Sequence, residues 1–170
     1  MMSARLDHIA IAIHSIKDAF ALFNGCLGGE FLSGGDIDAR HLRTMQLKFG
    51  TGKVELMQPT DELSPLNEFF ERRGQGFHHM TLICDDVEEE MSRLIARGYA
   101  VVNPDLSSPT WREVYLRPSA GFGALVQLAD STLSWDASAL AARRGGITPD
   151  DVISGRVMWL NQIPTLRTEA

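Results

Sequence analysis

The chain has 170 residues, 44% of them hydrophobic and 22% charged, which suits one globular domain or two small halves around a shared core. Its formal net charge of −6 argues against a nucleic-acid partner, because neutralising phosphates requires a basic face. The first residues lack a basic start followed by an apolar core, no apolar run approaches the roughly 20 residues that span a bilayer, and Cys26 and Cys84 form no CxxC pair, so a cytoplasmic protein without membrane contact is expected.

Residues 6–13 form an apolar run bounded by polar residues, which predicts a buried strand. Ser15 caps a predicted helix that runs to about Leu27, with Ala19, Phe20, Leu22 and Phe23 as its apolar face and Gly28-Gly29 as its stop. A short strand at 30–33 and a loop at Gly34-Gly35-Asp36 follow. Residues 42–49 alternate as a strand, Gly50-Thr51-Gly52 turns the chain, and 53–58 return as a strand carrying Glu55. This β-α-β-β-β order defines a first module, 1–60. A linker, 61–76, holds a short helix from about Pro65 to Arg73.

The second module, 77–130, repeats the order. A strand at 77–84 leads to Asp86, a good N-cap, with Glu89 placed for a capping box. The helix ends near Gly98. A short strand at 99–103, a polar loop at 104–110, a strand at 112–117, a turn at 119–123 and a strand at 124–129 complete it. The tail, 131–170, has no counterpart in the first module. Trp135 to Arg144 reads as an amphipathic helix, and Thr148-Pro149-Asp150-Asp151 starts another. Met158-Trp159-Leu160 is an apolar cluster that packs on the core, on another subunit, or over a pocket as a lid.

Each module opens with a His in an apolar strand, His8 in Leu6-Asp7-His8-Ile9 and His79 in Phe77-His78-His79-Met80. Glu55 follows His8 by 47 residues, and Gln127 follows His79 by 48. A polar side chain turned inward from an apolar strand is costly to bury unless something satisfies it. The recurrence of that feature at an offset that agrees to within one residue predicts a four-ligand site made by His8, Glu55, His79 and Gln127. Imidazole and carboxylate donors suit a divalent ion: Co, Zn, Ni, Mn or Fe.

The chain resembles the vicinal oxygen chelate superfamily of glyoxalases, epimerases, extradiol dioxygenases and antibiotic-resistance proteins. The resemblance covers about residues 5–130. It is carried by Leu6-Asp7-His8-Ile9-Ala10-Ile11-Ala12, Val54-Glu55-Leu56-Met57-Gln58-Pro59, Ser64-Pro65-Leu66-Asn67-Glu68-Phe69-Phe70, Arg73-Gly74-Gln75-Gly76-Phe77-His78-His79, Tyr115-Leu116-Arg117-Pro118 and Gly123-Ala124-Leu125-Val126-Gln127-Leu128. The Ser64-Pro65 segment and the run into His78-His79 look most like the methylmalonyl-CoA epimerase branch.

The resemblance implies an α+β fold in which two βαβββ modules build a mixed, curved sheet around one metal site, here with a helical tail added. It implies His8, Glu55, His79 and Gln127 as ligands, with His78 turned to the opposite face, and a homodimer. Two positions depart from the epimerases, which carry Glu where this chain has Gln127 and a further carboxylate on the strand matching 42–49, which here holds none.

The activity this implies is metal-dependent isomerisation or epimerisation beside a carbonyl, on an acyl-CoA thioester or an α-oxo compound, through a stabilised enolate. Glu55 is the candidate base and Glu113 a second catalytic group, unless Glu113 faces water. Two other readings stay open. His8, His79 and Glu55 also make the triad of an Fe(II) extradiol-type dioxygenase, with Gln127 a spectator. A protein that binds a small molecule without reaction is the third. Arg40, His41, Arg43, Trp111, Arg117 and Trp159 are candidate pocket residues, and no phosphate-cradling Gly-rich loop precedes a helix.

Overall fold

In the computed structural model, which describes residues 4–168, one mixed, curved sheet of ten strands carries the molecule. The chain runs β1 (Arg5–Ala12), α1 (Ile16–Phe20), β2 (Glu30–Ile37), β3 (Leu42–Phe49), β4 (Gly52–Pro59), then α2 (Pro65–Arg73). The same order recurs in β5 (Gly76–Ile83), α3 (Val87–Ala96), β6 (Val101–Asp105), β7 (Trp111–Leu116) and β8 (Leu125–Ser131). α4 (Trp135–Arg144), α5 (Pro149–Ile153), β9 (Val157–Leu160) and β10 (Ile163–Leu166) follow. The spatial order is β10-β9-β2-β3-β4-β1-β5-β8-β7-β6. β1 lies parallel to β4 and antiparallel to β5, and β5 lies parallel to β8, so the two βαβββ runs meet along the β1–β5 seam.

Alternation decides what each face of the sheet meets. On β3, Met45 and Leu47 point into a core with Ile16, Leu56, Val152 and Val157, while Thr44 and Gln46 point to the other face. The first helix starts at Ser15, whose Oγ accepts the Asp18 N–H at 3.2 Å. It is α-helical only to Phe20 and widens into a π-helical stretch, Ala21–Cys26, before Gly28 turns the chain with φ +74°. Asp86 caps α3 as expected, without the return bond from Glu89. The reciprocal capping box occurs instead at α5, between Thr148 and Asp151.

Gly34-Gly35-Asp36 is not a loop. It lies inside β2, paired with Met45, Thr44 and Arg43. The glycines serve close packing: a Cβ at Gly34 would meet Thr44 O at 2.6 Å and Val152 Cγ1 at 2.9 Å, and one at Gly35 would meet the Met158 backbone at 3.1 Å. Asp36 is buried because Arg43 grips both its oxygens, at 2.6 and 3.1 Å. β6 begins two residues later than the sequence suggests and includes Pro104, which the sheet's outer edge accommodates.

The tail is not purely helical. α4 packs along β2 with Trp135 and Ala139 against Leu32, and β9 joins the sheet beside β2 through Asp36–Met158. The Met158-Trp159-Leu160 cluster is therefore a strand of this chain's own sheet, and Trp159 Nε1 donates to Thr44 Oγ1 at 2.9 Å. No helix among the described residues is long and apolar enough to cross a membrane.

Candidate metal centre

The four predicted ligands stand on β4, β1, β5 and β8, four consecutive strands at the middle of the sheet. Pairing sets their heights. Glu55 lies opposite Ala10, which also lies opposite His79; His8 lies opposite Thr81, which lies opposite Gln127. His8, Glu55 and His79 each offer a donor atom within 4.8 Å of the others. His8 Nε2 is 3.8 Å from Glu55 Oε2, and the two imidazole rings meet edge to face, 5.8 Å between centroids.

Gln127 lies beside this cluster with its amide engaged at both ends. Its Oε1 accepts from Thr81 Oγ1 at 2.5 Å, and its Nε2 donates to Glu113 at 2.6 Å and to Tyr115 at 3.0 Å. The Thr81 oxygen is also 3.0 Å from His8 Nε2, so a short polar chain runs from His8 to Glu113. Glu113 faces inward and is 2% exposed, against the alternative that it faces water. Besides Gln127, Arg40 Nη2 (2.6 Å), Trp111 Nε1 (2.5 Å) and the Tyr115 hydroxyl (3.1 Å) hold it.

Arg40 arrives from the turn between β2 and β3 and crosses to the β6–β7 side, where Asp105 also meets it at 3.4 Å. Of the other candidate pocket residues, His41 turns out to Asp61, Arg43 is committed to Asp36, and Arg117 is exposed.

Two irregularities in the β1–β5 pairing shape the site. Leu6 pairs with Leu82 and His8 with Thr81, so Asp7 is an extra residue in β1. Ala10 pairs with His79 and Ile11 with Phe77, so His78 is an extra residue in β5. Each is a β-bulge, which breaks the alternation of faces. His78 therefore does not turn away from His79 as a regular strand requires; the two Nδ1 atoms lie 2.8 Å apart. Asp7 Oδ2 likewise lies 2.9 Å from His8 Nδ1. Both contacts occupy Nδ1; on the other side of its ring His8 Nε2 has Thr81 Oγ1 at 3.0 Å and Glu55 Oε2 at 3.8 Å. Sequence reasoning missed Asp7; its signal was the adjacency of a carboxylate to a candidate ligand.

Burial dominates the electrostatics. It pushes the Glu55 carboxyl up, with His8 and Gln46 partly offsetting it, and pushes His79 well below the usual imidazole range, with His78 and His8 adding to the effect. Burial also raises Asp7, but hydrogen bonds from His8 and Lys53 outweigh it and hold the carboxyl at about 2. An enclosed carboxylate beside two imidazoles is a donor set that a cation would satisfy, so it fits a divalent metal. Behind the cluster, Trp135 packs on the His8 ring (4.9 Å between centroids) and carries Lys53 Nζ over its own ring at 4.5 Å. A cavity of about 460 Å³ opens beside it, lined among others by Arg5, Lys48, Lys53, Trp111 and Trp135.

This fold and this set of side chains define a member of a known class. Residues 7–113 match the sequence profile of the Glyoxalase/Bleomycin resistance protein/Dioxygenase superfamily, and the chain belongs to that superfamily. It is similar to the uncharacterized protein YqjC of Bacillus subtilis (strain 168), with 30% identity over 74% of this chain and 91% of the relative. It is 28% identical to ethylmalonyl-CoA/methylmalonyl-CoA epimerase of Cereibacter sphaeroides over 75% of this chain and 98% of the relative. Among solved structures, a Streptomyces coelicolor methylmalonyl-CoA epimerase in complex with 2-nitronate-propionyl-CoA superposes with a TM-score of 0.68, at 25% identity over 76% of this chain and 96% of that one.

Proposed function

We propose that the protein is a divalent-metal-dependent isomerase or epimerase that moves a proton on the carbon beside a carbonyl. An acyl-CoA thioester is the preferred substrate, and an α-oxo, glyoxalase-like compound the second choice. The carrying observation is the convergence of His8, Glu55 and His79 within 4.8 Å, in a chain similar to methylmalonyl-CoA epimerases. A bound Co, Zn, Ni, Mn or Fe ion would supply stabilisation of negative charge on the substrate oxygen.

His8 and His79 would hold that ion through Nε2, with Glu55 a further ligand that would have to loosen to act on substrate, and the Gln127 amide oxygen would complete the set if Thr81 released it. Glu55 is the base. Burial raises its proton affinity toward the working range, and His8 beside it keeps the carboxylate accessible. When Glu55 accepts the α-proton, the C–H electron pair moves toward the carbonyl oxygen. Inversion also needs a proton given to the opposite face, and Glu113, once it carries a proton, is the group proposed to give it.

Glu113 is the second carboxylate in reach. Four donors fill its lone pairs, so it takes a proton only after one of them leaves. Arg40, whose side chain is 40% exposed, is the donor with room to leave. A homodimer is proposed on the superfamily resemblance alone.

Elemental analysis of purified protein, then proton NMR of methylmalonyl-CoA in deuterated buffer, tests this. Bound metal and enzyme-dependent deuterium uptake at the α-carbon are expected. The two-His, one-carboxylate set favours a single alternative, an Fe(II) dioxygenase. Tight iron with oxygen uptake and no deuterium exchange would replace the proposed reading by that one.

A further inference from the structure

The bulge at Asp7 has a chemical result. In a regular strand Asp7 and His8 would face opposite sides. The extra residue in β1 brings the Asp7 carboxylate onto the edge of the His8 ring, 2.9 Å from Nδ1. The carboxylate is buried, and its two oxygens divide their work. Oδ1 accepts from Lys53 Nζ at 2.8 Å and from Arg5 Nη1 at 3.2 Å, while Oδ2 has His8. An ionised carboxylate offers lone pairs only, so Nδ1 must carry the proton in that contact. Nε2 is on the other side of the ring, 3.0 Å from Thr81 Oγ1 and 3.8 Å from Glu55 Oε2.

We infer that Asp7 is a positioning residue that holds a proton on Nδ1 of His8 and so makes Nε2 the nitrogen that binds a metal, with Lys53 fixing which Asp7 oxygen faces the ring. The inference rests on the metal-centre reading above and adds a residue to it. Trp135, from the tail, closes the arrangement, lying on the His8 ring and under the Lys53 ammonium. The four side chains form a circuit, His8–Asp7–Lys53–Trp135, that ties the tail to one candidate ligand.

The test separates tautomer control from mere support. In Asp7→Asn, Lys53 and Arg5 hold the amide oxygen, which turns the amide NH₂ toward Nδ1. Nδ1 must then accept, and the proton moves to Nε2, where it blocks the metal. In Asp7→Ala nothing imposes either tautomer. Nitrogen-15 histidine NMR of the metal-free chain reads the tautomer directly, and chelator competition reads zinc affinity.

The expected results are a proton on His8 Nδ1 in the wild type, none there in Asp7→Asn, and a zinc affinity reduced roughly 10–100-fold in Asp7→Asn and less in Asp7→Ala. A His8 Nδ1 without a proton in the wild type, or an alanine variant as impaired as the asparagine one, overturns the inference. If both variants fail to fold, the wild-type tautomer still decides. Nδ1–H on His8 in a wild type that binds no zinc would uphold the role of Asp7 and remove the metal-centre reading alone.

Discussion

The two histidines of the cluster are set up by one backbone device with different chemistry behind it. Each is preceded by a bulged residue that contacts its Nδ1: Asp7 for His8 and His78 for His79. Asp7 is ionised, buried and held by two cations. His78 is an imidazole that burial keeps below its usual pKa, that packs on Phe69 at 4.8 Å and lines a surface cavity. A carboxylate stands behind the first ligand, and a second imidazole stands behind the other. The backbone of a duplicated unit thus sets where a ligand stands, while a single neighbouring residue sets how firmly its proton is placed.

The comparison can be broken or sharpened. The largest effect is expected from His8→Ala and His79→Ala, each of which should take bound metal from stoichiometric to near zero by elemental analysis. A variant that retained full metal would remove its residue from the centre.

Glu55→Gln should keep the fold and reduce deuterium wash-in by about 10²–10⁴-fold, the range for a lost general base; undiminished exchange would reassign the base. Asp7, at about 2 in the fold against an ordinary 3.8, stabilises the chain fully above pH 4 and loses that contribution as pH falls toward 2. Urea unfolding should therefore show wild type ahead of Asp7→Asn by roughly 2 kcal/mol at pH 7, with the gap closing near pH 2. A gap independent of pH would show that the charge is not its source. The smallest effect is expected from His78→Phe. With water from the cavity that His78 lines taking the place of the lost partner, zinc affinity should fall less than tenfold. A larger loss than in Asp7→Asn would invert the ranking of the two sides.

The repeated βαβββ order was legible because it rests on local signals: apolar runs, caps and glycine stops. The convergence of His8, Glu55 and His79 was legible because two offsets that agree to within one residue put polar residues in equivalent strands. The placing of Asp7 and His78 was not, since strand alternation assigns neighbours to opposite faces and a bulge leaves no mark in composition. Gly34-Gly35-Asp36 misled for another reason. Two glycines and an aspartate read as a loop unless the close neighbours are known, and those neighbours, Val152 and Met158, lie in the tail. The long reach from Trp159 to Thr44 and from Arg40 to Glu113 exists only after folding, and no local pattern encodes it.

Trp135 turns the candidate centre into its own optical reporter. Its indole lies 4.9 Å from the His8 ring, centroid to centroid, well inside the range at which a bound paramagnetic ion drains an excited state. Titrating the chain with Co(II) should dim its tryptophan emission, and substituting phenylalanine at this one position should leave the remaining emission far less responsive. Occupancy could then be followed in a cuvette, without substrate.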